Sequence, residues 1–359
     1  MKIVSIEVRK VRVPLSTRVV SAVGAVEHLG CLLLVVRSDE GLQGENVVFT
    51  LSDRFTTPLA HLITELGETL IGSSIVNLEE NWDAMHHRLG FFGVRGFSTM
   101  AIGALDGALW DLRGKTEGRS ISTMLGRKRD TVDIYDSGGL WLHMSRSELR
   151  EYAETSLASG FRAMKLRLGA SSLREDNARI ADLAAAVDGR AVLMADANQT
   201  YNEIDAIEAG KALQYHGYRW YEEPSSQLDL RRATRIRQAL DIPIAAGENC
   251  YSRFDAAELC ASQSAEIFMP DLQRIGGVTE FFRSATATEV AGLTTSAHLF
   301  PEYSLQLLGA LGNVSSLEYV PWFAQLFNET IELQEGRAVI PNRPGWGFTL
   351  NWRATETFA

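Results

Sequence analysis

The chain has 359 residues, 45% hydrophobic and 22% charged, and carries a formal net charge of −10. That balance describes a globular protein with a sizeable core, and the acidic surplus argues against a nucleic-acid partner, which would want a basic stripe. Cys31, Cys250 and Cys260 fit neither a zinc nor a disulfide framework, and the longest apolar run, Cys31 to Val36, is far short of a membrane span, so no membrane partner and a cytoplasmic location are expected.

In chain order, the first dozen residues alternate apolar and charged, with Ile6, Val8, Val11 and Val13 against Glu7, Arg9 and Arg12. A period of two predicts a half-buried antiparallel strand, ended by Pro14, and so much charge is unlike a signal peptide. Residues 29–37 read as a second, more buried strand, and Asp39-Glu40-Gly41 as a turn into a third. Helical periodicity follows over 57–71, 78–88 and 98–113, the last opening at a Ser98 cap and stopping near Gly114. Strands first and helices afterwards describe an α+β domain over residues 1–125.

From Thr131 the rhythm changes. Eight short apolar segments (132–137, 162–167, 192–197, 218–222, 242–247, 266–270, 293–297 and 315–319) alternate with amphipathic helical stretches. Most steps are about 20 to 30 residues, one strand-loop-helix-loop unit each. No Gly-x-Gly-x-x-Gly follows the first strand, which weakens an open nucleotide-binding sheet and favours a closed α/β barrel over 126–325. Residues 326–359 are expected to return to the first domain.

Three of these strands end in acids: Asp196, Glu222 and Glu248, spaced 26 residues apart. One such acid alone is more often a helix cap or a solvated end. Three in register at the C-terminal rim of a barrel, where barrel active sites form, would repel one another unless a cation neutralised them. A hard divalent ion with oxygen ligands, Mg²⁺, suits such a set.

The strings ADANQT (195–200), WYEEP (220–224), AGENC (246–250), MPDLQRIGGVT (269–279) and SAHLFPE (296–302) resemble signature segments of the enolase superfamily, mandelate racemase subgroup. The similarity extends along the chain, through Ala22-Val23-Gly24 and Tyr135-Asp136-Ser137. It implies a (β/α)7β TIM barrel under an α+β capping domain built from the N-terminal region and the C-terminal tail, a homo-oligomer, and a small carboxylate substrate whose α-proton is abstracted. It also implies roles for individual residues. Asp271 and His298 form a dyad in which the aspartate fixes the tautomer of a basic imidazole. Glu318 is the acid that hydrogen-bonds the substrate's developing oxyanion, which would require protonation near neutral pH. Ser137 touches the substrate carboxylate and Asn198 reaches a substrate hydroxyl.

Lys165-Leu166-Arg167 is the informative departure. The subgroup's usual motif has lysine at both ends, the second acting as a base, whereas arginine stays protonated and serves better as a carboxylate clamp. This disfavours two-base racemisation and points to one base, His298, acting in a syn elimination. The two capping loops that the resemblance places over the substrate, 16–28 and 47–57, hold Val19, Val26 and Leu51 but also Arg18, Glu27, His28 and Arg54. Those polar groups suggest a polyhydroxylated or dicarboxylate ligand, with Arg18 and His28 in contact. The expected activity is therefore dehydration of an acid sugar, an aldonate or aldarate. Racemisation or epimerisation of a 2-hydroxy acid and lactone cycloisomerisation are the alternatives, and a non-catalytic barrel that binds metal or ligand is a further rival.

Overall fold

A computed structural model describes residues 1–22 and 24–353. Val23, in the Ala22-Val23-Gly24 segment, and residues 354–359 of the C-terminal segment lie outside the described residues.

The chain opens with an antiparallel sheet of β1 (Ile3–Ser21), β2 (Gly24–Ser38) and β3 (Gln43–Thr50). β1 does not end at Pro14. That residue stays in the ladder opposite His28, which an edge strand tolerates because its outer side needs no N–H donor. A register shift between Pro14 and Val19 marks a bulge, after which Val19 faces Val26 at the tip of the hairpin. Helices α1 (Thr56–Glu68), α2 (Leu78–Leu89) and α3 (Phe97–Glu117) cover one face, and a short α4 (Ile121–Met124) follows.

The continuous apolar run in β2 has a simple cause: the strand is buried on both faces. Leu32, Leu34 and Val36 pack with the helices, whereas Leu29, Cys31 and Leu33 join the core shared with the barrel. α3 begins after Gly96 rather than at a Ser98 cap, and it passes Gly114 to stop at Gly118, whose φ of +65° supplies the left-handed C-terminal residue. Gly114 is glycine for a different reason. A Cβ there would lie 2.7 Å from the Gly345 Cα, so the C-terminal segment can cross the helix only where no side chain stands.

The barrel strands are β4 (Thr131–Asp136), β5 (Ala163–Arg167), β6 (Val192–Asp196), β7 (Tyr221–Glu222), β8 (Ile244–Ala246), β9 (Ile267–Phe268), β10 (Thr294–Ala297) and β11 (Val314–Tyr319). They pair in sequence order, all parallel, and β11 returns to β4 to close the barrel. Between them run α5 (Arg146–Ala158), α6 (Leu173–Val187), α7 (Glu203–Tyr215), α8 (Leu230–Gln238), α9 (Arg253–Ser262), α10 (Gly277–Val290) and α11 (Pro301–Leu308). Five of these helices in succession are capped by a side chain, from Ser145, Ser172, Asn202, Asp229 and Ser252, which fixes where each rim loop ends. The barrel interior is plugged by Tyr135, Met194, Trp220, Ala245, Ile267 and Met269.

After β11, a hairpin of β12 (Leu333–Gln334) and β13 (Arg337–Val339) adds antiparallel to β4. The chain then meets the N-terminal region: Trp346 N–H donates to Asp111, and Leu350 N–H and Trp352 Nε1–H donate to Glu45. A second tie joins the two bodies nearer the rim. Phe49 N–H donates to Gln273 Oε1 at 2.8 Å and Gln273 Nε2 donates to the Phe49 carbonyl at 3.1 Å, so one side-chain amide extends the β3 ladder.

Candidate active site

The C-terminal ends of the barrel strands bring the expected polar groups together. Arg167, Asp196 and Glu222 face one another in register across β5, β6 and β7, and a bridge pairs Asp271 with His298. The rim is also where non-glycine residues adopt left-handed backbone: Leu140, Asn198, Gln199, Glu223, Leu299 and Phe300 all have φ between 39° and 64°. Such clusters of strained backbone accompany sites whose geometry the rest of the fold imposes.

Alternation along β5 turns Lys165 and Arg167 into the barrel, while Met164 and Leu166 join the surrounding core. Lys165 Nζ lies 2.7 Å from Glu222 Oε2 and 2.8 Å from Glu318 Oε1. Burial alone would lower its pKa, but the two glutamates outweigh that and hold it up at about 12. Arg167 bonds Asp196, donates to Ser137 Oγ at 2.8 Å, and lies with its guanidinium 4.8 Å over the Trp141 ring. Burial opposes its charge, yet Asp196 and Glu318 raise its pKa above the ordinary arginine value. Neither cation is poised to accept a proton.

The three carboxylates are crowded. Burial, then the neighbouring charge of Asp196, pushes Glu222 up to about 8. Burial raises Glu248 too, but His298 and Arg274 overcome it and bring it down to about 2. Among the described residues no three His, Cys, Asp or Glu side chains already converge as a coordination sphere, because Lys165 and Arg167 stand among them. The donor set nevertheless fits a hard cation. Glu222 Oε1, Glu248 Oε2 and Asn198 Oδ1 are buried oxygens without a hydrogen-bond partner. Such atoms are costly to leave unmet, and an oxygen-seeking divalent ion would meet them.

His298 Nδ1 lies 2.8 Å from Asp271 Oδ2, and its Nε2 lies 3.4 Å from Glu248 Oε2 at the cavity. Burial pulls the imidazole pKa down, but Glu248 and the bond to Asp271 carry it above its ordinary value. Asp271 is held in turn by the N–H groups of Gln273 and Arg274.

Three expectations need correction. Glu318 is not a raised, protonated acid. Burial pushes in that direction, but the charges of Lys165, His298 and Arg167 hold it far below the usual carboxylate range, and it accepts hydrogen bonds from Ser137 Oγ and Leu299 N–H. Ser137 sits between Arg167 and Glu318 and is not part of the cavity wall. Arg18 and His28 are exposed and also absent from the wall: Arg18 falls in the β1 bulge, and Val19 beside it is the residue turned inward. Asn198 does line the cavity, with its N–H groups bound to Asp196.

Sequence reasoning missed Arg274, which lines the cavity and donates to Glu248 Oε1 at 3.0 Å and Asn249 Oδ1 at 2.9 Å. Its signal was a lone cation three residues after Asp271. Trp141, Phe49 and Trp322 on the wall were missed too, since nothing local marks them as facing a cavity.

Comparison with known proteins adds independent findings. A family model described as the N-terminal domain of mandelate racemase / muconate lactonizing enzyme matches residues 3–126, and one described as enolase C-terminal domain-like matches residues 148–354. L-talarate/galactarate dehydratase of Salmonella typhimurium is 29% identical over 91% of this chain and 82% of its own length. The 3,6-anhydro-α-L-galactonate cycloisomerase of Streptomyces coelicolor is 28% identical over 95% of both chains. Among solved structures, L-talarate dehydratase from Polaromonas sp. JS666, complexed with Mg and L-glucarate, superposes with a TM-score of 0.91 at 30% identity, covering 99% of this chain and 97% of that one.

Proposed function

The chain belongs to the mandelate racemase / muconate lactonizing enzyme family, and from that premise we propose that it is a Mg²⁺-dependent dehydratase of acid sugars. The observation that carries this reading is the asymmetry of the site. A nitrogen base, His298, stands on one side, and a permanently charged arginine stands where a second base would be needed. A proton can then be taken and returned on one face alone, as a syn elimination requires and a two-base racemisation does not.

Asp196, Glu222 and Glu248 would hold the Mg²⁺, which when bound supplies positive charge to the substrate carboxylate as its α-proton leaves. His298 Nε2 removes that proton while Asp271 keeps Nδ1 protonated and the ring in place. The electron pair left by the Cα–H bond forms the Cα–Cβ double bond as the Cβ–O bond breaks. The imidazolium returns its proton to the departing hydroxyl, and water leaves. The enol then tautomerises to a 2-keto acid. Arg167 serves as the fixed countercharge at the cavity, while Lys165 keeps Glu222 and Glu318 in place.

Aldonic and aldaric acids incubated with Mg²⁺ in D₂O test the reading. Formation of 2-keto acid supports it. Deuterium wash-in at Cα with every hydroxyl retained would instead make the protein a racemase or epimerase.

Two further features complete the proposal. Phe91 and Phe92 are adjacent, 93% and 78% exposed, and support a homo-oligomer built through that loop. Cys31, Cys250 and Cys260 are all free thiols, in keeping with the cytoplasm. Among the described residues no helix is long and apolar enough to cross a membrane.

A further inference from the structure

The cavity above the dyad has a polar floor and an apolar roof. Its charged and amide groups, Arg167, Asn198, Glu248, Arg274 and His298, come from barrel strand ends and the loops that follow them. From the capping sheet it receives Val19, Val26, Phe49 and Leu51, with Ser21 the one hydroxyl among the described residues there. The barrel rim adds two indoles. Trp141 and Trp322 stack with ring centroids 6.1 Å apart, and Phe49 meets Trp322 edge-on at 6.2 Å, so one wall is continuous aromatic surface. Trp141 Nε1–H is already bound to the Gly138 carbonyl, so this ring offers the cavity no donor.

The floor's cations stand at the reacting end of the cavity, not under the roof. Arg167 is held by Asp196 and Ser137, and Arg274 by Glu248 and Asn249. The basic side chains of the lid, Arg18, His28 and Arg54, are exposed and lie outside the wall. A second carboxylate at the far end of a substrate would therefore lose its water against hydrocarbon without gaining an ion pair. The cavity measures about 250 Å³, the scale of a small-molecule site.

We propose that the preferred substrate is a monocarboxylic acid sugar whose far end is apolar, a deoxy sugar acid terminating in a methyl group, and that diacids are rejected. This rests on the dehydratase reading and narrows it. The carboxylate, Cα–H and β-hydroxyl occupy the floor beside His298, while the terminal carbon packs under Val26, Leu51 and Trp322. It also separates this chain from relatives named for the diacids talarate and galactarate.

The test compares kcat/KM for three acids of matched stereochemistry at C2 and C3, ending in methyl, hydroxymethyl or carboxylate, on the Mg²⁺-loaded enzyme. The expected order is methyl over hydroxymethyl by about tenfold and over carboxylate by about a hundredfold. In a Leu51→Arg variant, where the native side chain is 42% exposed and a longer one is accommodated, the gap to the diacid is expected to narrow at least tenfold. A diacid used as well as the methyl-ended acid overturns the proposal, and so does a gap that Leu51→Arg leaves unchanged. Each acid is followed both by keto-acid formation and by Cα deuterium exchange, which separates the two readings. Exchange that favours the methyl end without any keto acid sinks the dehydratase reading. Keto-acid formation that favours the diacid sinks the apolar-end proposal alone.

Discussion

At the scale of single residues, His298 and Arg167 divide the chemistry between them. His298→Asn keeps a polar side chain beside Asp271 but removes the proton-accepting nitrogen at the cavity, so kcat is expected to fall by about 10²–10⁴. The melting temperature should stay near that of the native chain, which distinguishes a lost base from a lost fold. Keto-acid assay and differential scanning fluorimetry read the two effects. Arg167→Lys is the more demanding test. It breaks the fork to Asp196 and Ser137, so dehydration should slow, yet it places an amine where a second base would act. Proton NMR in D₂O should then show Cα exchange in the substrate epimer that the native enzyme leaves untouched. Absence of that exchange would mean that position 167 does not face the α-carbon. Residue identity thus announced the departure from a lysine pair, but not its consequence for Glu318. The charge state of that carboxyl is set by Lys165, His298 and Arg167, neighbours that only the closed barrel assembles.

At the scale of elements, α11 carries an unused titrating group. Glu302, in its first turn, is buried, and that burial lifts its pKa to about 7. A carboxyl whose folded pKa exceeds its unfolded one favours folding in its protonated form. Its contribution is therefore fully present below the unfolded pKa, near 4.5, and is lost as pH rises to about 7. Glu302→Gln, which cannot ionise, should match the native chain in stability near pH 4 and exceed it by roughly 3 kcal/mol at pH 8. Urea melts at the two pH values check this, and equal differences at both would show that folding does not raise the Glu302 pKa. The elements themselves were largely legible. The eight barrel strands stand out because parallel strands buried on both faces read as apolar runs, and the even spacing of Asp196, Glu222 and Glu248 follows from repeating units. The start of α3 was not legible, since Gly96 caps without a side chain. Nor was the continuation of β1 through Pro14, which depends on that strand lying at a sheet edge.

At the scale of the whole molecule, the proposed cation site at Asp196, Glu222 and Glu248 is coupled to folding. Mg²⁺ that binds the folded chain and not the unfolded one should stabilise it by about 2.7 kcal/mol at a hundredfold excess over Kd. Thermal melts with Mg²⁺ or with EDTA measure this, and Glu248→Gln should abolish most of the difference. A native chain whose melting temperature ignores both additions would remove the metal from the account. The passage from an antiparallel sheet to a parallel barrel was readable as a change of rhythm near Thr131. The direction in which lid residues point was not, because one bulge between Pro14 and Val19 decides it, and period-two patterning is silent about a bulge.

The paired hydrogen bonds between Gln273 and Phe49 carry a consequence for turnover. They fasten β3 to the loop that also bears Asp271, so the ceiling over the base cannot slide as a rigid plate without disturbing the dyad. The hairpin tip has its own tie, since Leu142 N–H donates to the Val20 carbonyl at 2.9 Å. Ceiling and reacting groups are thus riveted at two points, so a substitution in β3 that disturbs the Phe49 backbone reaches the dyad through Gln273.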